Sequence, residues 1–428
     1  MTEMVARVRA AFEEAFRRGL AAVDPAAAVK TELETLGIEG PVTVIAIGKA
    51  ARSMARGAVE VLNDQVAGGV VVSPDPPDGS GYSRLRCLQG GHPIPNGASM
   101  EAGQKVLAEA AGAEGTLLVL ISGGASALAE VPAGGVSLTD LASTYMVLLR
   151  AGLPIEDMNT IRRHLSVLKN GGLLAATSAP TVTLLIADVV GADVTAIGSG
   201  PTLPDSSTAA DALGVAARAG ILEMLPPGAL EALRTSAEPP TPSASHRWAI
   251  VADGTSAVRA AADFLRMSGF NTEVDPNPLT GEAAEQGSRV ASEAPRSTVT
   301  VRHGETVVTV RGDSPGGRNQ HASLAAALAI EGQVAVFAGL SSDGRDGLTE
   351  AAGAIVDGKT CQRIRAAGLD PEESLAGCRS HFALAASGDL VVTGPTGTNV
   401  ADIWMAWREA VPTESGPTES GQRKRATR

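Results

Sequence analysis

The stretch VTVIAIGKAARSM, from Val42 to Met54, decides how this chain is read. Six apolar residues run straight into Gly48-Lys49, and an alanine-rich helical pattern follows. A continuous apolar run without strict alternation suits a strand covered on both faces, as in a parallel α/β sheet. The glycine permits a sharp turn where strand becomes helix. The lysine is less expected, because a cation at a helix start opposes the helix dipole unless an anion lies beside it. Ligands of open parallel sheets sit outside the carboxyl ends of the strands, so Lys49 reads as a point charge beside a bound anion. The plainer alternative is a surface lysine.

The same punctuation recurs along the chain. GGVVVS (68–73), TLLVLIS (116–122) and TVTLLIADVV (181–190) are further buried-strand candidates. Ser137-Leu-Thr-Asp140 predicts a helix cap ahead of Leu141, Tyr145 and Leu148. At the N-terminus Val5, Val8, Phe12, Phe16 and Leu20 share one helical face. EPPTPSAS (238–245) has the composition of a linker. Beyond it WAIVADG (248–254) opens a second series. TVTVRHGETVVTVRG (298–312) alternates around His303-Gly304 and predicts a hairpin, hence an antiparallel element. QVAVFAGLSSDG (333–344) returns to strand and glycine loop, and Ile403, Trp404 and Trp407 are placed on a last helix. PTESG occurs twice within 412–421, and QRKRATR follows; a short polar repeat with a basic end predicts a disordered tail. The expected fold class is α/β, with one α/β domain over 1–237, a linker at 238–246, a second with a mixed sheet over 247–410, and a tail over 411–428.

Composition narrows the function classes. A net charge of −12 argues against binding bare phosphate backbones or acidic membranes. Aromatics at 3% leave few platforms for stacking bases. Cys87, Cys361 and Cys378 form no Cys-x-x-Cys pair, which fits free thiols in a reducing cytoplasm. No apolar run approaches the ~18 residues of a membrane span. The chain is therefore expected to be soluble and cytoplasmic, with no nucleic-acid or membrane partner.

Residues immediately after each apolar run carry the chemistry. Ser122-Gly123-Gly124-Ala-Ser126 follows one strand candidate, and Asp188 and Asp193 follow another. SPGGRNQ supplies Gly316, Gly317, Arg318 and Asn319, and SSDGRDG supplies Asp343. Glycines let backbone N–H groups approach an anion. Lys49 and Arg318 could neutralise it, the arginine through a forked donor pair. Asp188, Asp193 and Asp343 could hold Mg²⁺ or accept a proton. Phosphoryl transfer needs mainly this set. Each residue has a structural alternative: turn glycines, a paired arginine, a capping aspartate. A G-x-x-x-x-G-K-S/T loop, the protein-kinase signatures and a G-x-G-x-x-G after the first strand are all missing.

IGKAA (47–51), GGHPIPN (90–96), ISGGASAL (121–128), MNTIRRHLSVLKNGGLLA (158–175), IGSGPTLPD (197–205), GGRNQ (316–320), SSDGRDGLTEAAGAIVDG (341–358) and TGPTGTNVAD (393–402) occur in this order. Through them the chain resembles the class II glycerate 2-kinases, which carry a C-terminal MOFRL domain, from about Phe12 to Trp404. The resemblance implies a Rossmann-like N-terminal domain, a mixed-sheet C-terminal MOFRL domain and an active site in the cleft between them. It implies ATP, Mg²⁺ and transfer of the γ-phosphoryl group to the 2-hydroxyl of D-glycerate, with a homodimer allowed. It makes Lys49 and Arg318 essential, sets the Ser122–Ser126 loop against phosphate or substrate carboxylate, and puts Asn319 and Asp188 near the acceptor hydroxyl. This chain departs from the family pattern at Ala187, Ala192, His303, His321, Arg345, Leu348 and Glu350. Those changes leave open another hydroxy acid as acceptor or a binding protein without catalysis; a hydroxypyruvate reductase, a label that sequences of this kind have carried, is a further alternative, against which the missing dinucleotide fingerprint counts.

Overall fold

Val42–Ile47 forms β1 in the computed structural model, and all six residues are buried. The structure describes residues 2–77, 83–187, 194–235, 245–310 and 315–410. The next strands are β2 (Val66–Ser73), β3 (Leu85–Gln89), β4 (Thr116–Ile121), β5 (Thr181–Ala187) and β6 (His246–Asp253). They pair in parallel in the order β3-β2-β1-β4-β5-β6. That order reverses direction between β1 and β4, which is the switch point where doubly wound sheets bind ligands. The apolar runs lack alternation because helices cover both faces of this sheet. Val44 and Ala46 face one core, while Ile45 and Ile47 face another.

A second sheet contains β7 (Asn271–Val274), β8 (Thr298–Gly304), β9 (Ala335–Ser341), β10 (Gly353–Asp357), β11 (Leu390–Val391) and β12 (Asp402–Arg408). Its order is β11-β10-β9-β12-β8-β7; only β7 and β8 run parallel. The expected α/β class with a mixed second sheet is therefore observed. The Ser137 cap is also present, with Ser137 and Asp140 forming a reciprocal capping box on the helix Leu138–Arg150.

Four expectations are corrected. The alternation in 298–312 does not make a hairpin among the described residues. β8 finds its antiparallel partner in β12, and residues 311–314 lie outside the described set. Ile403, Trp404 and Trp407 are on strand β12, not on a helix. Six of its seven residues are buried, whereas a helix packed on one side would expose the other. Trp404 lies edge-on to Phe337, 5.3 Å between ring centroids, in the centre of the sheet. The expected domain boundary at 247 falls inside β6, which pairs with β5 and completes the first sheet. The first helix, Thr2–Ala22, belongs with the second sheet: Arg9 donates to Asp357 and Asp389 at 2.8 and 2.9 Å. Val8, Phe12 and Phe16 are fully buried there, as their shared face predicts. Segments 238–244 and 411–428, read as linker and tail, lie outside the described residues. Among the described residues no helix is long and apolar enough to cross a membrane.

Candidate active site

The turns after β1 and β4 interlock at the switch point. Gly48 has φ 137°, and a Cβ there would stand 2.1 Å from Ser122 Oγ. No other residue type fits that approach. Ser122 N–H donates to the Ile47 carbonyl at 3.0 Å, and Lys49 N–H donates to the Gly123 carbonyl at 2.9 Å. Ser122 Oγ accepts from Ala50 N–H at 3.0 Å, at the start of the helix Ala51–Leu62. The fully buried Ser122 hydroxyl thus braces the two turns. The N–H groups of Gly123 and Gly124 have no acceptor among the described residues. The helix that follows, Ala125–Leu128, is a single turn, so those N–H groups, rather than a helix dipole, are what this loop offers.

Lys49 reaches out from this turn to the other sheet. Its Nζ donates to Asp343 Oδ2 at 3.0 Å, just past the end of β9. Asp343 Oδ1 accepts from Ser341 Oγ and Arg345 N–H, both at 2.9 Å. Burial raises the Asp343 carboxyl, but Lys49, the Arg345 N–H and Ser341 outweigh it and hold the group below the ordinary carboxylate value. Arg318 starts the helix Arg318–Ala329 and grips Asp402 with two bonds, 2.6 and 3.2 Å, and Glu305 with one of 2.6 Å. Asp402 lies opposite Ser341 in the β9–β12 register, so both cations are held by carboxylates at one end of adjacent strands. Burial would lower the Arg318 pKa, yet Asp402 and Glu305 raise it above the ordinary arginine value. Neither cation is unpaired. Each still has donors to spare. An ammonium has three N–H and a guanidinium five. The bonds above engage one on Lys49 and three on Arg318.

The GGRNQ segment is more structural than expected. Asp346, 3% exposed, occupies the N-terminus of the Arg318 helix and accepts from Asn319 N–H at 3.1 Å and Gln320 N–H at 2.7 Å. Gly317 exists for that carboxylate: a Cβ would stand 2.2 Å from Asp346 Oδ1. Gly316 lies beside His381. Burial pushes the Asp346 carboxyl up to about 6 against the lowering effect of those N–H groups. Gly316 and Gly317 therefore do not open the helix N-terminus to phosphate; a carboxylate already occupies it. Asn319 is likewise engaged by the protein itself. Its Oδ1 accepts from Trp404 Nε1 at 2.7 Å and its Nδ2 donates to Asp346 at 3.3 Å, deep in the core.

Other residues collect around the first turn. A Cβ at Gly124 would meet the His92 ring at 3.1 Å and Lys49 Cγ at 3.5 Å, so both side chains flank that glycine. His92 sits exposed at the rim, where the surrounding protein and then the Lys49 and Arg162 charges push it down to about 4. Ser126 Oγ bonds Ser199 Oγ at 2.8 Å and Tyr145 Oη at 3.3 Å. Arg162, Tyr145 and Ser199 were not singled out from sequence. The only signal was the Arg162-Arg163 pair inside MNTIRRHLSVLKNGGLLA, which reads as the ordinary basic end of a helix. His321 is bonded to Ser380 at 3.1 Å, and His303 is buried under Gly254, so neither departure falls in this cluster. Arg345 and Leu348 are exposed on the loop after Asp343. Asp188, Ala192 and Asp193 lie outside the described residues. Among the described residues no three His, Cys, Asp or Glu side chains form a metal donor set, and Asp343 is already engaged by Lys49.

Residues 11–234 match the model of a domain of unknown function (DUF4147), and residues 298–402 match that of the MOFRL family. The chain is 36% identical over 406 residues to the D-glycerate 2-kinase of Thermotoga maritima, covering 91% of this chain and 96% of that one. It is also 36% identical over 411 residues to an Agrobacterium vitis protein named as a hydroxypyruvate reductase, covering 91% and 92%. The crystal structure of glycerate kinase from Thermotoga maritima superposes with a TM-score of 0.82 at 34% identity, covering 94% of this chain and 100% of that one.

Proposed function

The chain belongs to the glycerate kinase family built from a DUF4147 domain and a MOFRL domain, and from that premise we propose that it phosphorylates the 2-hydroxyl of D-glycerate with ATP. The acceptor oxygen attacks the γ-phosphorus, the bond to the β–γ bridging oxygen breaks, and ADP leaves with that oxygen. The hydroxyl proton passes to a base, for which Asp188, directly after β5 in sequence, is assigned. The site lies between the two sheets, where Lys49 and Arg318 meet the terminal phosphoryl group with their remaining donors. Gly123 and Gly124 add backbone N–H groups to it.

One observation carries this reading: Lys49, from the switch point of the first sheet, bonds Asp343, from the strand end of the second, at 3.0 Å. The carboxylates orient the two cations and leave donors free, which is preorganisation toward a transferred anion. Mg²⁺ was expected on Asp188, Asp193 and Asp343. Asp188 and Asp193 lie outside the described residues, and no step is assigned to the metal.

A reductase reading draws on the Agrobacterium vitis relative and on the strand order of the first sheet, which is shared with dinucleotide-binding folds. The turn after β1 is Gly48-Lys49-Ala50-Ala51, without the glycine spacing that admits a dinucleotide pyrophosphate. ADP release from a panel of short hydroxy acids tests the proposal, and D-glycerate is expected to turn over fastest. A different acid turning over fastest would move the acceptor assignment, with exposed Arg345 the first residue to examine. Hydroxypyruvate-dependent oxidation of NAD(P)H, without ADP release, would restore the reductase.

A further inference from the structure

Arg162 and Arg163 are neighbours at the end of the helix Ile155–Arg163, but they are held differently. Arg163 is ion-paired with Asp205 and donates to the Thr195 carbonyl and hydroxyl at 2.6 and 3.0 Å. Arg162 is 7% exposed and has no ion-pair partner among the described residues. Its one hydrogen bond is a weak one, to the Met158 thioether at 3.8 Å, and its Nε has none. Burial pulls its pKa below the ordinary arginine value. Glu130 attracts it, but that carboxylate is already paired with Lys169, and keeping a guanidinium out of water without an ion-pair partner of its own is costly. A site that receives an anion explains the cost.

The surroundings are built to hold that guanidinium still. Its central carbon lies 4.3 Å from the Tyr145 ring centroid, a stack that fixes its plane. Tyr145 Oη donates to the Ser126 carbonyl at 3.0 Å and bonds Glu130 Oε2 at 3.2 Å. Glu130 is fully buried, pairs with buried Lys169 and accepts from Ser166. Ser126 Oγ bonds Ser199, which donates to Asn159 Oδ1 at 2.9 Å, on the same helix as Arg162. A closed polar network thus ties the platform under Arg162 to the loop that carries Gly123 and Gly124. The Arg162 charge is also felt by His92, which flanks Gly124 and feels the Lys49 charge as well.

From this geometry we infer that Arg162 binds the carboxylate of the acceptor acid, with Tyr145 as its rigid platform. The inference rests on the kinase reading and separates two roles that the loop alone left merged. Charge matching favours the carboxylate. Lys49 and Arg318 already hold carboxylate partners, whereas Arg162 has no ion-pair partner among the described residues, so one singly negative carboxylate matches it. The planar fork of Arg162 suits a planar carboxylate.

Arg162→Gln and Arg162→Lys, compared with the parent in steady-state assays varying D-glycerate and ATP, test this. Arg162→Gln raises KM for D-glycerate about 100-fold while kcat and KM for ATP stay within about threefold, the pattern of lost substrate binding. Arg162→Lys falls between, since it keeps the charge and loses the fork. The parent prefers D-glycerate over uncharged D-glyceramide, and Arg162→Gln erases that preference. Because a buried unpaired charge is removed, the melting temperature of Arg162→Gln stays level or rises. A KM rise for ATP with none for D-glycerate would overturn the inference in favour of a phosphate contact. A drop in melting temperature of several degrees, with both KM values unchanged, would overturn it in favour of a structural role. A parent inactive on D-glycerate would instead defeat the kinase reading itself.

Discussion

Replacing Lys49 by methionine lowers kcat for D-glycerate phosphorylation by about 10³-fold. The side chain keeps its length and loses its charge, so the fold should hold. The Lys49–Asp343 pair is partly exposed on both sides, at 30% and 21%, and its loss is discounted by solvent screening to about 1 kcal/mol. A shift of a few degrees in melting temperature is therefore the most that Lys49→Met should cause. The large effect arises because the ammonium acts where charge moves in the transition state, in a position that Asp343 and the Gly48 turn prepare in advance. Steady-state kinetics beside a melting curve separates the two effects. A methionine variant retaining a tenth of the activity would remove Lys49 from the catalytic set.

Arg318 carries the second large effect, and here stability and chemistry must be separated by design. Asp402 is 1% exposed and is ion-paired with the guanidinium. Arg318→Ala leaves that carboxylate buried and unpaired, at a cost of about 3 kcal/mol or more. Activity lost in that variant alone would therefore be ambiguous. The double variant Arg318→Ala with Asp402→Asn removes both charges, and its melting temperature should recover toward the parent. Its kcat should remain about 10³-fold down, because the donors that reach the phosphoryl group are still missing. Recovery of activity together with stability would make Arg318 a structural ion-pair partner only.

Several features were legible because one local cause dominates each. The apolar run 42–47 suits a doubly covered strand, and Lys49 stands out as a cation placed against a helix start. The capping box at Ser137 is a matter of two side chains three residues apart. Features with distant causes were not legible. β12 reads as a helix because Ile403, Trp404 and Trp407 have helical spacing, and its true setting depends on β8 and β9 lying on either side. β6 lies beyond a proline-rich segment, and only pairing with β5 shows that it completes the first sheet. Gly316, Gly317 and Asn319 look like an anion loop until Asp346 is seen filling the helix N-terminus. Arg162 is the converse case. Basic residues at a helix end need no special reason, and only its burial without an ion-pair partner among the described residues marks it out.

The most direct test of the account is the structure of the product that the purified protein makes from ATP and D-glycerate, read by phosphorus–proton coupling in NMR and by mass. The account predicts 2-phosphoglycerate, formed one for one with ADP. A phosphate on the 3-hydroxyl, or no phosphorylated acid while hydroxypyruvate is reduced at the expense of NAD(P)H, would contradict it.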